Sequence, residues 1–432
     1  MARSQLKQLF VSMEEGEFDE EGNPVVINID SDAVEITQTF TEAEDAVEDV
    51  EELEEVEEGL ESIVASLEAA LEQGGLDPIS AQFAHHAVGA YVERLGMESS
   101  DLMPALESFG GDSGRISATT VSMETIGEAL KKIWAAIKAA VEKAIKAVTD
   151  FFSKLFVGWE KLVKAAETLS GEIKKLTDTQ VDNGNKMRVP NPNSLMVSNT
   201  VDKAHIAKGL NMVHTLVVRI YGNYVGITET TYKNHASHIK GLLEGATDVQ
   251  QSLDTILSAD TKLNDNLGGQ VKSQDVMLGN KIATVTASKK STSKGDNTED
   301  KIRGTFSIVP VSGTKNFTGE TEIDTPTRAE LMSMLKTIMD IGNECKKGRE
   351  SVKAINKLRK DIVDKDIKAK PDTKGIKENY DKVKGNAELR KAMSIMGKDY
   401  TRPITITGNY AFSSCRSVMS FVKVASKKYK AA

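Results

Sequence analysis

Six histidines, two cysteines and 64 carboxylates are the groups in this 432-residue chain whose types could do chemistry. His235 and His238 stand three apart and would share one helical face, the spacing at which two imidazoles hold zinc. No HExxH setting and no nearby cysteine accompanies them, so the pattern gives a metal site little support. His85 and His86 are adjacent and point to different sides of a helix. Gly313-Thr314-Lys315 lacks the upstream glycine of a phosphate loop, no GxGxxG follows a strand, and no GxSxG elbow occurs. Cys345 and Cys415 are too few for a disulfide framework and lack CxxC spacing. A reducing compartment is the expectation, with one intramolecular bridge left open. The reading is a non-enzymatic protein with no catalytic, cofactor-binding or metal-ligating residues. An enzyme without a recognisable motif is the weakest alternative.

The glutamates suit a different chemistry, that of being cut beside. Triplets of a small residue, any residue and Glu recur nine times before residue 125, among them Ala70-Leu71-Glu72, Ala105-Leu106-Glu107 and Ser122-Met123-Glu124. A protease needs an extended, reachable segment. Glu107 opens a Gly-rich stretch, and Glu124 directly precedes a Thr125/Glu128 capping box. Cleavage after Glu107 or Glu124 is therefore the candidate modification, leaving a new N-terminus at or near the helix that follows.

The charge balance says what such a cut would separate. Residues 1–124 hold 30 acids and 4 bases, a net of −26, and residues 125–432 hold 34 acids and 51 bases, a net of +17. The two parts must attract one another, and each would meet different partners if parted. No apolar leader with a cleavage site opens the chain, and no run of eighteen uncharged residues crosses it, so a soluble protein made in a cytoplasm is expected.

Most of the periodicity is helical. Val50, Leu53, Val56, Leu60, Ile63, Val64 and Leu67 recur at three- and four-residue steps with Glu on the other faces, which suits a coiled coil, a docked helix or a solvated amphipathic one. Asp77-Pro78 starts a second helix that ends near Gly96. Residues 108–124 read as a flexible linker. From Thr125 a long helix follows, with Ile126, Leu130, Ile133, Ile137, Val141, Ile145, Val148, Phe152, Leu155, Trp159 and Leu162 as a stripe, Trp134, Phe151 and Phe156 widening it. Eight lysines against four acids between residues 125 and 164 make its polar face basic.

Turn residues at 182–193 suggest a domain boundary, and a short strand is expected at Val25–Ile29. Residues 199–265, Thr327 to about Lys365, and Gly375–Met396 read as helices. Lys281–Thr286 and Gly304–Val311 read as the strands of a hairpin spanning about 281–312. The expectation is a mainly α protein: an acidic leader over 1–107, the linker, the long basic amphipathic helix over 125–180, and a helical body over 199–432 carrying the β-hairpin.

The stripe of Ile133, Trp134, Ile137, Val141, Ile145, Phe152 and Trp159 has three readings. Packing in a helical bundle is the usual fate of such a face. Lying on an anionic membrane surface suits lysines opposite Trp and Phe. Recognition of a partner helix is the third. A membrane-acting effector, or a protein that meets a membrane after ejection, would need the stripe uncovered, and the acidic leader would be its mask.

An acidic, Glu-rich helical leader, small-x-Glu sites and a basic helical remainder together resemble the internal head proteins of large tailed bacteriophages. The small-x-Glu form at Ser122-Met123-Glu124 and Ala105-Leu106-Glu107 is similar to the sites of giant phages of the phiKZ type. Leu53-Glu54-Glu55 and Ile126-Gly127-Glu128 match the T4-like form, which has Leu or Ile two residues before the Glu, but both fall in helical pattern. The resemblance covers the leader and the first 40 residues after it. It implies that a prohead protease removes the leader after Glu as the capsid matures, and that the body stays inside the virion head with the DNA. The partners implied are that protease, other capsid or internal head proteins, and packaged DNA held by nonspecific electrostatics. Self-association is also open. Few aromatics interleave the lysines, so neither base reading nor single-strand stacking is expected.

Overall fold

The computed structural model describes residues 29–93, 98–180, 185–243, 275–286, 305–318, 321–368 and 380–431, with scattered positions between 255 and 271. The expected strand at Val25–Ile29 lies outside these residues except for Ile29, which begins a helix. Helix α1 spans Ile29–Glu72, α2 Pro78–Val92 and α3 Gly111–Lys174. Strands β1 (Leu176–Gln180) and β2 (Lys186–Arg188) follow, then the single turn α4 (Pro192–Leu195) and α5 (Lys203–Val217). A π-helical segment, Val218–Tyr224, leads into α6 (Val225–Leu243). Strands β3 (Lys281–Thr286), β4 (Thr305–Pro310) and β5 (Glu322–Asp324) precede α7 (Arg328–Lys347), α8 (Arg349–Lys368), α9 (Tyr380–Ser426) and β6 (Tyr429–Ala431). The chain is mainly α, as its periodicities predict. The strands form three two-stranded antiparallel sheets, β1–β6, β2–β5 and β3–β4. The expected hairpin is the last of these, in register from Lys281↔Pro310 to Thr286↔Thr305.

Helix α3 organises the molecule. Its 64 residues hold no proline, and at 1.5 Å per residue they reach about 96 Å. It begins at Gly111, where φ is +70°, and not at Thr125. The stretch expected as a flexible linker is instead a 3-10 turn, Leu106–Phe109, followed by regular helix. The Ser and Thr residues that read as loop formers satisfy themselves inside the helix. Thr119, Thr120, Ser122 and Thr125 each donate to a carbonyl four residues back, at Arg115, Ile116, Ala118 and Val121. Thr125 is thus a mid-helix residue, and the expected capping box does not form. A capping box does form at Thr327 and Glu330, which start α7.

Two further boundaries differ from the pattern. The Thr327–Lys365 stretch breaks at Gly348, where a Cβ would come within 2.8 Å of the Tyr221 ring. Helix α9 runs past Met396 and through Pro403, although proline removes a backbone donor and clashes with the preceding turn. Nearby, Thr405 donates to the carbonyls of Thr401 and Arg402, and the buried Tyr221 hydroxyl donates to Ile404 O at 2.9 Å. The π-helical segment places Tyr221 at this bend, and Gly408 also leaves room for it.

The buried apolar residues fall into two large clusters, both threaded by α3. The first joins Val148–Ile173 of α3 to Ile36 and Phe40 of α1 and to α5, the π segment, α7 and α9. The second joins Val56, Leu60, Val64 and Leu67 of α1 with α2, Phe109 and Ala118–Ile133 of α3. A division at 182–193 does not describe this packing. Trp159 and Leu162, before it, share a core with Leu195–Val197 and Val213 after it.

Candidate functional site

Leader and body meet along α1 and α3. Glu35 pairs with Lys154, and Asp49 pairs with Lys143 at 2.9 Å. Partners fall along α3 as residue numbers rise along α1, so the two helices run antiparallel. Acidic and basic faces lie together at the rim, and apolar side chains fill the seam. Ile36 is 1% exposed, Phe40 packs edge-on against Phe151 at 5.6 Å, and Ala46 and Val50 cluster with Ala144. Gly158 sits where a Cβ would lie 2.6 Å from Ile36 and 3.0 Å from Phe412, so its missing side chain lets α1, α3 and α9 converge. The opposite charges were legible in the sequence. Which carboxylate meets which lysine was not, because Asp49 and Lys143 are 94 residues apart.

The stripe is covered. Ile133, Ile145, Phe152 and Trp159 are buried, and Ile137 and Val141 are half-buried against the same clusters. The side chain of Trp134 lies outside the described residues. Trp159 is fully buried and meets Phe412 edge-on at 5.3 Å. Among the described residues no helix is long and apolar enough to cross a membrane.

The two candidate cleavage residues occupy unlike settings. Ala105, Leu106, Glu107 and Ser108 are all exposed, in one 3-10 turn between Pro104 and Gly110. Phe109, the next residue, is fully buried in the second cluster. Upstream, the half-buried His85 holds this loop to α2, with Nδ1 3.0 Å from Ser99 Oγ and Nε2 3.3 Å from Pro104 O. Glu124 is exposed too, but Ser122 is fully buried and the bond after Glu124 lies inside continuous helix. Reaching it in extended form requires several turns of α3 to unwind. Glu72 ends α1 and is followed by Gly74 and Gly75, both at positive φ, so the Ala70-Leu71-Glu72 triplet also borders a turn.

Gly313 turns at φ +77°, and Thr314 Oγ1 accepts from Asn280 Nδ2 at 2.7 Å while donating to Val311 O. Gly313-Thr314-Lys315 is therefore part of a clasp at the base of the hairpin. Asn280, fully buried with φ +54°, also donates to Asn199 Oδ1, and its Oδ1 accepts from Asn199 N. His235 is buried, and the side chain of His238 lies outside the described residues. Among the described residues no three His, Cys, Asp or Glu side chains gather as a metal site. Cys345 and Cys415 are free and buried, and burial pushes both thiols up.

The architecture is that of a mainly helical protein built on one long helix, with an acidic N-terminal helix laid on a basic one. The family of phiKZ-like phage internal head proteins matches residues 29–426, and the chain belongs to it. That membership places the protein inside the phage head, as a structural component of the virion. No curated protein and no solved structure matches.

Proposed function

We propose that residues 1–107 are a propeptide removed after Glu107 during head maturation, leaving a basic body that remains among packaged DNA. The observation that carries the proposal is the exposed Ala105-Leu106-Glu107 turn at the end of an acidic segment docked on a basic helix. A prohead protease acting after small-x-Glu would reach this turn without unfolding α3. Before the cut, α1 occupies lysines of α3 that would otherwise meet phosphates. Once further cuts or competition for the seam free α1 and α2, the second cluster also loses most of its partners. The arm of α3 from Ala118 to Ile133 would then seek an apolar cover, such as another internal head protein.

The test is N-terminal and intact-mass analysis of the protein from mature heads. A start at Ser108 is expected, and Glu107→Gln should retain the longer chain. A start at Thr125 would move the cut to Glu124 and require α3 to open first. An intact Met1 or Ala2 start would overturn the propeptide reading.

A further inference from the structure

The β1–β6 pairing joins two parts of the chain that lie about as far apart as the body allows. Leu176 is opposite Ala431 and Gln180 is opposite Tyr429. Tyr429 is buried, and its hydroxyl donates to Pro326 O at 2.6 Å, while Arg328 donates to Leu176 O, so the sheet is anchored to the start of α7. This anchoring sets the last residues of α3 beside the last residues of α9. Lys174 and Lys175 thus stand where α3 enters the sheet, Lys423, Lys427 and Lys428 where α9 enters it, and Lys430 on β6 between them. Lys174, Lys175, Lys427 and Lys430 are exposed, and Lys423 and Lys428 are half-buried.

Part of the lysine charge elsewhere on the body is compensated. Lys131, Lys143, Lys154, Lys203, Lys233, Lys347 and Lys353 each pair with a carboxylate. None of the six at this end forms an ion pair among the described residues. Asp178 on β1 lies 3.4 Å from Arg328. Lysines near helix C-termini do complement the helix dipole, which accounts for one or two at each end. It does not account for Lys430, which stands on a strand, or for two lysine-bearing helix ends being fastened together. Lys174 also lies twenty residues beyond Lys154, about 30 Å of helix, so the described leader contacts leave this end open.

We propose that this lysine end is a site for the phosphate backbone of packaged double-stranded DNA, bound without sequence preference. The inference deepens the proposed function and rests on its reading of the body as a DNA-contacting surface. If each lysine neutralises one phosphate, binding here follows salt with a log–log slope of about −5. Affinity then falls roughly a thousandfold between about 50 and 200 mM salt. The chemistry is point charge on phosphate, so Lys→Arg should be tolerated and Lys→Gln should not.

The experiment measures binding of the full chain to short mixed-sequence duplex DNA across a salt series. The chains compared are the unaltered protein, Lys427→Gln/Lys428→Gln/Lys430→Gln, and a control with the same charge loss, Lys336→Gln/Lys357→Gln/Lys360→Gln. The first variant, with three of the six lysines left, should show a slope of about −2.7, which cuts the salt response to roughly fortyfold. The control should change both little. Equal effects of the two variants would mean a diffuse basic surface and overturn the site, while leaving DNA contact by the body intact. No DNA binding by any chain at low salt would overturn that contact as well, whatever N-terminus the mature protein shows. A change in oligomeric mass with an unchanged DNA slope would assign the lysines to the acidic leader of a second copy, also overturning the proposal.

Discussion

Phe40→Ala should loosen the leader far more than removing both ion pairs that tie it to α3. Phe40 is 6% exposed and meets the Phe151 ring at 5.6 Å. Truncating such a buried phenylalanine costs about 3–5 kcal/mol. The Glu35–Lys154 and Asp49–Lys143 side chains are each roughly half exposed, and such pairs contribute about 0.2–1 kcal/mol apiece before salt screens them. The assay is hydrogen exchange of the α1 amides in the full chain, which reads the local opening free energy. At about 1.4 kcal/mol per tenfold, Phe40→Ala should speed exchange on the order of a hundredfold or more. Lys143→Gln/Lys154→Gln should speed it roughly thirtyfold at most. Raising salt toward about 1 M, where the screening length is about 3 Å, should leave α1 protection in the unaltered chain largely in place. The opposite order of the two variants, or loss of α1 protection in salt, would make charge, and not apolar packing, the bond between leader and body. The consequence for maturation is that a cut after Glu107 alone leaves the leader seated by its apolar contacts. Its departure would then need further cuts, for which the triplet ending at Glu72 is placed, or competition for the seam.

Asn280→Ala should lower stability by about 2–4 kcal/mol, since it puts alanine at φ +54° and removes the bonds to Asn199 and Thr314. Asn280→Gly should fall between, because it relieves the backbone alone; thermal unfolding checks the order. Acid should weaken the start of α5 and α7. Desolvation raises the carboxyls of Asp202 and Glu330, but the His205 N–H and ring for the first, and the Thr327 N–H and Lys203 for the second, hold both below their ordinary values. Carboxyls depressed on folding contribute stability that is complete above the ordinary carboxylate range and is lost as pH falls through the folded values, below about 4. Unfolding midpoints taken from neutral pH down to about 3 should drop, and Asp202→Asn/Glu330→Gln should flatten part of that drop.

The helical class, the opposed charges and the hairpin were legible along the chain. Each depends on local periodicity or composition, and Lys281–Thr286 with Gly304–Val311 showed strand pattern without help from the rest of the chain. Composition misled at 108–124, where Gly, Ser and Thr read as linker. Their hydroxyls bond back along the helix and their small side chains fit against α1 and α2, so packing overrode propensity. The helix expected to end at Met396 likewise continues, as α9 runs on through Pro403 beside Tyr221. Which residues meet is set by packing. The Glu35–Lys154 and Asp49–Lys143 register, the difference in access between Glu107 and Glu124, and the lysine end at β1–β6 all join or separate residues far apart in sequence. One-dimensional periodicity shows which face of a helix is apolar, but not the neighbour that covers it, because that follows from the shared burial of several elements at once.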